Sequence, residues 1–281
     1  MLPILNNTYA TALRLCFLVL LSTSSAVHAQ KFFNGRHEMG WVAGVSNYHG
    51  DITQGMTTKN FRPMGGMYYK YQFSGFFSYR LQAACMQIRG TDDGSPSYDT
   101  RNLSFQTPIY ELSNIFEFNF QPFGLNYEDK PFTPYFFSGL NGFFFDPSRL
   151  ENEDIKLRNL KTEGQRKSYS LFQPAVPIGF GFKFMSKAKK NQGVWILALE
   201  GCWRKTFTDY LDDVNADYAD YQSMVDRQNS GGAQYGHAQT LNGDQPYSKG
   251  TMRGDTHLKD WYYSFNFTLA FRFPGRACAN L

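Results

Sequence analysis

The segment TDYLDDVNADYADYQSMVD, residues 208–226, places Asp209, Asp212, Asp213, Asp217 and Asp220 close together. Several carboxylate oxygens on one loop are what a hard cation such as calcium takes. The spacing has no EF-hand glycine and no closing glutamate. The reading is therefore a loop or short capped helix over a rim, with Tyr210 and Leu211 packing inward. Acyl-transfer chemistry would need a Ser, a His and a carboxylate in mutual reach. His49 stands beside Asp51, and His257 stands near Asp255 and Ser248. Neither these nor His37 and His237 belong to a Ser–His pattern of definable spacing, so a non-enzymatic chain is expected. Cys85, Cys202 and Cys278 lie on distant segments without a CxxC. An odd set of this kind is neither a disulfide framework nor a zinc site. No metal or cofactor is expected. The RGD triplet at 253–255 reads as a turn at Gly254 leading into the last apolar segment. A formal charge of +4, spread along 281 residues, carries no nucleic-acid signal.

A second set of charges is scattered singly through apolar stretches: Glu38, Lys70, Arg80, Glu111, Glu117, Lys183, Glu200, Arg204 and Arg272. Their neighbours explain them. In LKDWYYSFNFTLAFRF, residues 258–273, Trp261, Tyr263, Phe265, Phe267, Leu269, Phe271 and Phe273 alternate with Tyr262, Ser264, Asn266, Thr268, Ala270 and Arg272. Alternation with period 2 over such a length is a strand signal. It recurs at 37–48, 64–73, 77–89, 107–121, 172–184 and 194–205. The stretch FTPYFFSGLNGFFF at 132–145 is apolar on both faces, which leaves its register open. Every scattered charge falls on the small or polar face of its strand.

Short and long connections alternate between these segments. Tight links near 73–76 and SKAKKNQG contrast with polar loops at 49–61, 90–103 and 146–168, and with 206–258, the longest. Apart from the N-terminal region, no apolar run is long enough for a transmembrane helix. Residues 1–29 read as a secretory signal, with Arg14, the apolar LCFLVLL and a Val27-His28-Ala29 cleavage site. A short lead at 30–36, a body at 37–273 and a tail at 274–281 follow.

The mean hydropathy of -0.45 is that of an ordinary soluble chain. Against it stand 27 Phe and 18 Tyr, far above ordinary usage, with the strand aromatics gathered on the apolar face. A soluble sandwich would turn that face inward and show charge outside. Here the opposite face is rich in Gly, Ser, Ala, Asn and Gln, which suits the packed interior of a small barrel. In lipid, a closed barrel satisfies every backbone polar group while aromatic residues meet the bilayer. The expected fold is all-β: an eight-stranded antiparallel up-and-down transmembrane barrel of outer-membrane type. Its last strand closes on 37–48, its partner is outer-membrane lipid, and the lone charges form an internal network.

Three stretches carry a resemblance. HEMGWVAGVSNYHGDI at 37–52 contains Glu38, Gly40, Tyr48, Gly50, Asp51 and Ile52. KTFTDYLDDV at 205–214 contains Thr208 through Val214. MRGDTHLKDWYYSFNFTLAFRF at 252–273 contains Arg253, Gly254, Asp260, Trp261 and Tyr262. In this order, over residues 31–273, the chain resembles the PorG family of outer-membrane barrels, linked in Bacteroidota to the type IX secretion system. The resemblance implies an accessory or anchoring role, with periplasmic secretion-ring proteins as partners. A general surface barrel, with ligand-binding or envelope-stabilising loops, is the alternative.

Overall fold

The computed structural model describes residues 36–53, 58–92, 101–124, 130–186, 193–255 and 259–274. The expected signal peptide, residues 30–35 of the lead, His257, and the tail from 275 onward with Cys278 lie outside them. Eight strands form: β1 (His37–His49), β2 (Arg62–Gln72), β3 (Phe77–Thr91), β4 (Ser104–Asn119), β5 (Phe132–Phe145), β6 (Phe172–Met185), β7 (Val194–Thr206) and β8 (Trp261–Arg272). Each pairs antiparallel with its sequence neighbours, and the sheet closes as a barrel. The seam joins β1 to β8 from Glu38↔Arg272 to His49↔Trp261. No edge strand is left to expose unpaired backbone, which is the condition for a sheet in lipid.

The outer wall is the apolar face. Trp41, Met67, Phe77, Phe116, Leu140, Phe180, Leu199 and Phe267 are exposed, one from each strand. Such a surface all round a closed barrel is stable against hydrocarbon and would aggregate in water. The ambiguous segment at 132–145 resolves by packing. Tyr135, Phe137, Phe143 and Phe145 of β5 are fully buried in the lumen, while Phe136, Leu140 and Phe144 face out. Facing glycines make this fit. A Cβ at Gly179 would run into the Phe137 ring.

One outward position departs from the expectation that the odd side chains of the last strand meet lipid. Tyr263 is only 5 % exposed. It sits edge-on against Phe265 at 6.2 Å, and Phe265 meets Phe61 of the β1–β2 connection at 6.3 Å. This aromatic stack on the wall takes Tyr263 out of the exposed band. Cys85 lies exposed on the outer wall and Cys202 is buried in the lumen.

Both described termini lie at one end, here the lower end, with the connections 73–76, 120–131 and 186–193. The other four connections meet at the upper end. They carry helices α1 (Leu157–Leu160), α2 (Tyr221–Asp226) and α3 (Ser230–Gly236) and two 3-10 turns, Thr58–Asn60 and Ala238–Asn242. Asp220 caps α2, its side chain accepting from the Ser223 amide at 2.7 Å. The described part of the long 206–258 connection is thus a folded cap.

Candidate functional site

Two buried polar clusters occupy the barrel axis, one in the lumen and one under the cap. The nine scattered charges all lie in the lumen, each at most 5 % exposed. Strand alternation puts them there, since a residue of opposite parity would face lipid. They divide into two groups. In the lower one, Glu117 is surrounded by three cations: Lys183 Nζ at 2.5 Å, Lys70 Nζ at 3.0 Å and Arg80 Nε at 3.2 Å. Arg80 continues to Glu200 at 2.5 Å, and the Tyr135 hydroxyl also donates to Glu200. Lys70 reaches Glu38 at 3.5 Å, and Arg272 grips Glu38 at 2.5 Å. In the upper group, Arg204 donates twice to Glu111, at 2.8 Å from both Nε and Nη2, and once to the Ser264 hydroxyl. Tyr262 and Asn141 complete the shell around Glu111 at 3.0 and 3.1 Å.

Charges removed from water are tolerated only when paired and hydrogen-bonded. Each of the nine has an opposite charge within 3.5 Å, although Glu38 Oε2, Arg80 Nε and Glu117 Oε1 make ion-pair contacts without a hydrogen bond. An eight-stranded barrel is narrow enough for side chains to fill its cross-section. The purified protein in planar bilayers is expected to show no conductance steps, and stable steps of any size would contradict a filled lumen.

The upper cluster draws on all three motif stretches. Tyr48, fully buried at the top of β1, places its hydroxyl 2.6 Å from Asp212 and 2.8 Å from Asp260. Asp260 also accepts from the Leu211 amide at 3.0 Å, and Asp212 from the Val214 amide at 2.9 Å. A phenol carries one hydrogen, so it serves one of the two carboxylates at a time. With both ionised, one close oxygen–oxygen contact would hold no proton. Burial first, then neighbouring carboxylates, pushes Asp212 and Asp260 well above the usual carboxylate range. Where one of the two carboxyls holds a proton, the Tyr48 hydroxyl accepts from that acid and donates to the other's carboxylate.

Around this bridge the loops are tied to one another. Asp213 accepts from Thr162 at 2.5 Å and from Tyr169 at 2.7 Å, and burial pushes it up to about 6. Tyr169 stacks on Tyr210 with centroids 4.3 Å apart. Asp209 meets Lys259 at 3.1 Å and is likewise raised by burial to about 6. Arg253 donates to Glu163 at 3.0 Å and to the Asp213 carbonyl at 2.8 Å. Arg101 holds Asp92 through two nitrogens, at 2.8 and 2.7 Å, and donates to the carbonyls of Arg253 and Asp51. Asp51 receives the Asp255 amide at 3.1 Å.

The cap's two motif glycines, Gly50 and Gly254, are here for space, and neither has a positive φ. A Cβ at Gly50 would overlap the Tyr48 hydroxyl and the Asp260 carboxylate, and one at Gly254 would sit 2.7 Å from both Asp51 and Val214. Gly50→Ala is expected to loosen the cap, at a cost of about 1–3 kcal/mol. Faster proteolysis within 207–260, with the barrel's own stability unchanged, would register it. The triplet at 253–255 is built in rather than displayed, since Arg253 and Gly254 are buried.

The acidic segment forms a loop, with Leu211 fully buried and the helix starting only at Tyr221. Its carboxylates turn to separate partners rather than towards one point. The remaining candidates lie apart. Glu38 and Gly40 belong to the lumen end of β1, and Trp261 sits on the outer wall. His37 meets the Tyr69 hydroxyl at 2.5 Å on the lower rim, His49 is exposed on the upper wall, and His237 is buried in the cap against Tyr218. Sequence reasoning missed Arg101, Asp92, Glu163, Thr162 and Tyr169. They sit in loops without periodicity, where nothing separates a structural charge from a solvated one.

Comparison with known proteins adds a family. A model described as "Domain of unknown function (DUF6089)" matches residues 13–229. Among solved structures, the chain is similar to Neisserial surface protein A, at TM-score 0.39 and 8 % identity, over 85 % of this chain and 98 % of that one. It is similar to Ail, the attachment invasion locus protein of Yersinia pestis, at 0.38 and 12 %, over 86 % and 100 %. OprG from Pseudomonas aeruginosa, an outer-membrane protein, follows at 0.37 and 14 %, over 85 % and 98 %. No curated protein matches. The family match spans well over half of the chain, and the chain belongs to the DUF6089 family.

Proposed function

We propose that this chain is a non-enzymatic outer-membrane barrel that serves the type IX protein secretion system as an accessory or anchoring component. The observation that supports it is convergence. The stretches carrying the PorG resemblance lie far apart in sequence, yet Tyr48, Gly50, Asp51, Asp209, Tyr210, Asp212, Asp213, Arg253, Gly254 and Asp260 meet in one cap. Chance identities would have no reason to gather there. With the lumen filled and the wall in lipid, the two rims are the surfaces left for proteins. The lower rim faces the periplasm, where ring proteins would dock.

The test is deletion of the gene with assay of type IX cargo in the medium, joined to crosslinking from native membranes. Cargo retained in the cell and a periplasmic ring protein crosslinked to the barrel are the expected results. Normal cargo secretion would overturn the reading. It would favour a general surface barrel acting through its loops, a role that the ordered helical cap would suit.

A further inference from the structure

The outer wall is not uniform around its upper edge. Lys205 on β7 pairs with Trp261 on β8, and Trp261 pairs with His49 on β1, so these three side chains form one row across adjacent strands. All three have outward parity, and Lys205 and His49 are exposed. The Lys205 ammonium lies over the Trp261 ring at 5.7 Å, a cation–π contact that holds it flat against the wall. On the far side of β1 the row continues. Arg89 of β3, outward by parity and half-buried, donates to the carbonyl of exposed Lys59. Phe61, two residues on, reaches back to Phe265 of β8 at 6.3 Å. The wall is therefore continuous from β7 to β3.

This row marks the top of the apolar belt. Trp261 and Phe271 bracket β8, and Phe271 meets Trp195 at 5.2 Å at the lower edge. Their separation corresponds to about 34 Å along a strand, or about 24 Å of height at the usual tilt of roughly 45°. That is close to the thickness of an outer-membrane apolar band, about 25 Å. The basic row thus stands where lipid phosphates lie, directly above exposed Trp203 on β7 and, beyond the buried Asn47 and Tyr263, above exposed Val45 and Phe265. The opposite flank differs. Its outward upper positions are Pro108, Phe144, Asp146 and Phe172, and the nearby Lys156 is paired with Asp146 at 3.3 Å. On the basic flank, buried Asp209 pairs with Lys259, and Asp255 is less exposed than Lys59 and Lys205.

We propose that Lys205, Trp261, His49, Lys59 and Arg89 form a docking site for the phosphate groups of a phosphorylated outer-leaflet glycolipid. The site rests on the outer-membrane reading and is independent of any role in secretion. Arg and Lys supply charge-assisted donors to phosphate oxygens, and the apolar wall beneath receives the acyl chains.

The experiment places the full chain in phosphatidylcholine nanodiscs and titrates purified lipopolysaccharide, either intact or enzymatically dephosphorylated. Bound glycolipid is counted by native mass spectrometry. Wild type is expected to prefer the intact form, and preference is expected to fall on raising salt from about 0.15 M to about 1 M, where screening is nearly complete. The double variant Lys205→Gln/Arg89→Gln should lose roughly ten- to thirty-fold in affinity, at about 1 kcal/mol per basic residue near the lipid surface. Lys167→Gln, on the exposed cap, should match wild type. Equal binding of intact and dephosphorylated glycolipid by wild type overturns the proposal, as does an unchanged affinity in a folded double variant. If that variant does not fold, Trp261→Phe and the salt titration of wild type decide in its place. A chain that supports secretion but binds no glycolipid overturns this inference alone.

Discussion

Glu117→Ala is expected to be among the most destabilising single substitutions in this chain. Glu117 is the shared counter-charge of Lys70, Arg80 and Lys183, all within 3.2 Å and all buried. Removing it leaves three cations in a water-poor lumen with fewer anions than they need. Breaking a buried pair from one side costs about 3–5 kcal/mol, and here three pairs break together. Rearrangement offers little relief, because Glu38 is already held by Arg272 and Glu200 by Arg80 and Tyr135. The check is urea unfolding in lipid vesicles, followed by tryptophan fluorescence and by the gel-mobility shift of folded barrels. Phe116→Ala, a neighbour facing lipid, supplies the comparison and should cost much less. A Glu117→Ala barrel as stable as Phe116→Ala would refute an electrostatic role for the lumen cluster.

The cap is expected to loosen as pH rises, with the barrel unaffected over the same range. The sign follows from the direction of the shifts. Asp213 and Asp209 titrate at about 6 in the folded cap, against roughly 3.9 in an unfolded chain. The folded cap therefore binds more protons between these values, and its stability falls with rising pH. The stabilisation is complete below about pH 4 and is lost as pH passes through about 6. Buried Asp213 alone accounts for up to about 3 kcal/mol. Asp212 and Asp260, raised further, extend the loss above that range. Hydrogen exchange within 207–260 from pH 4.5 to 8, corrected for intrinsic rates, measures it. Asp212→Asn removes the need for the shared proton. It should flatten the profile above pH 6 and leave the cap better protected than wild type at pH 8. Protection that is flat or rises with pH in wild type would sink the account.

Much of the architecture was legible because a strand in a barrel wall has two unlike environments. In β8, Phe265, Phe267 and Leu269 face out and Ser264, Asn266 and Thr268 face in, as alternation alone required. The same rule sorted the lone charges to the interior, since a wrong parity would set each in hydrocarbon. It failed at 132–145, where both faces are apolar. There the lumen accepts Phe137 only because Gly179 across the strand gives it room, and such complementarity exists only between strands.

The cap was the least legible part. Its motif residues stood out by resemblance, and their types suggested an acidic loop or short helix over the rim with only Tyr210 and Leu211 packing inward. The motif carboxylates are instead buried, with Tyr48 and Asp260 bonded across 212 positions of sequence. No local pattern records a contact of that range. What the amino-acid order by itself determined is the two-faced wall: strand number, inward and outward faces, and closure of the last strand on the first. These depend on period and solvent, which are local. Only the tertiary structure decided which charges pair, how the lumen divides into two clusters, and that loops carrying helices lock over Tyr48. Those depend on distances between chain segments, set once the barrel has closed and brought its four upper loops to one mouth.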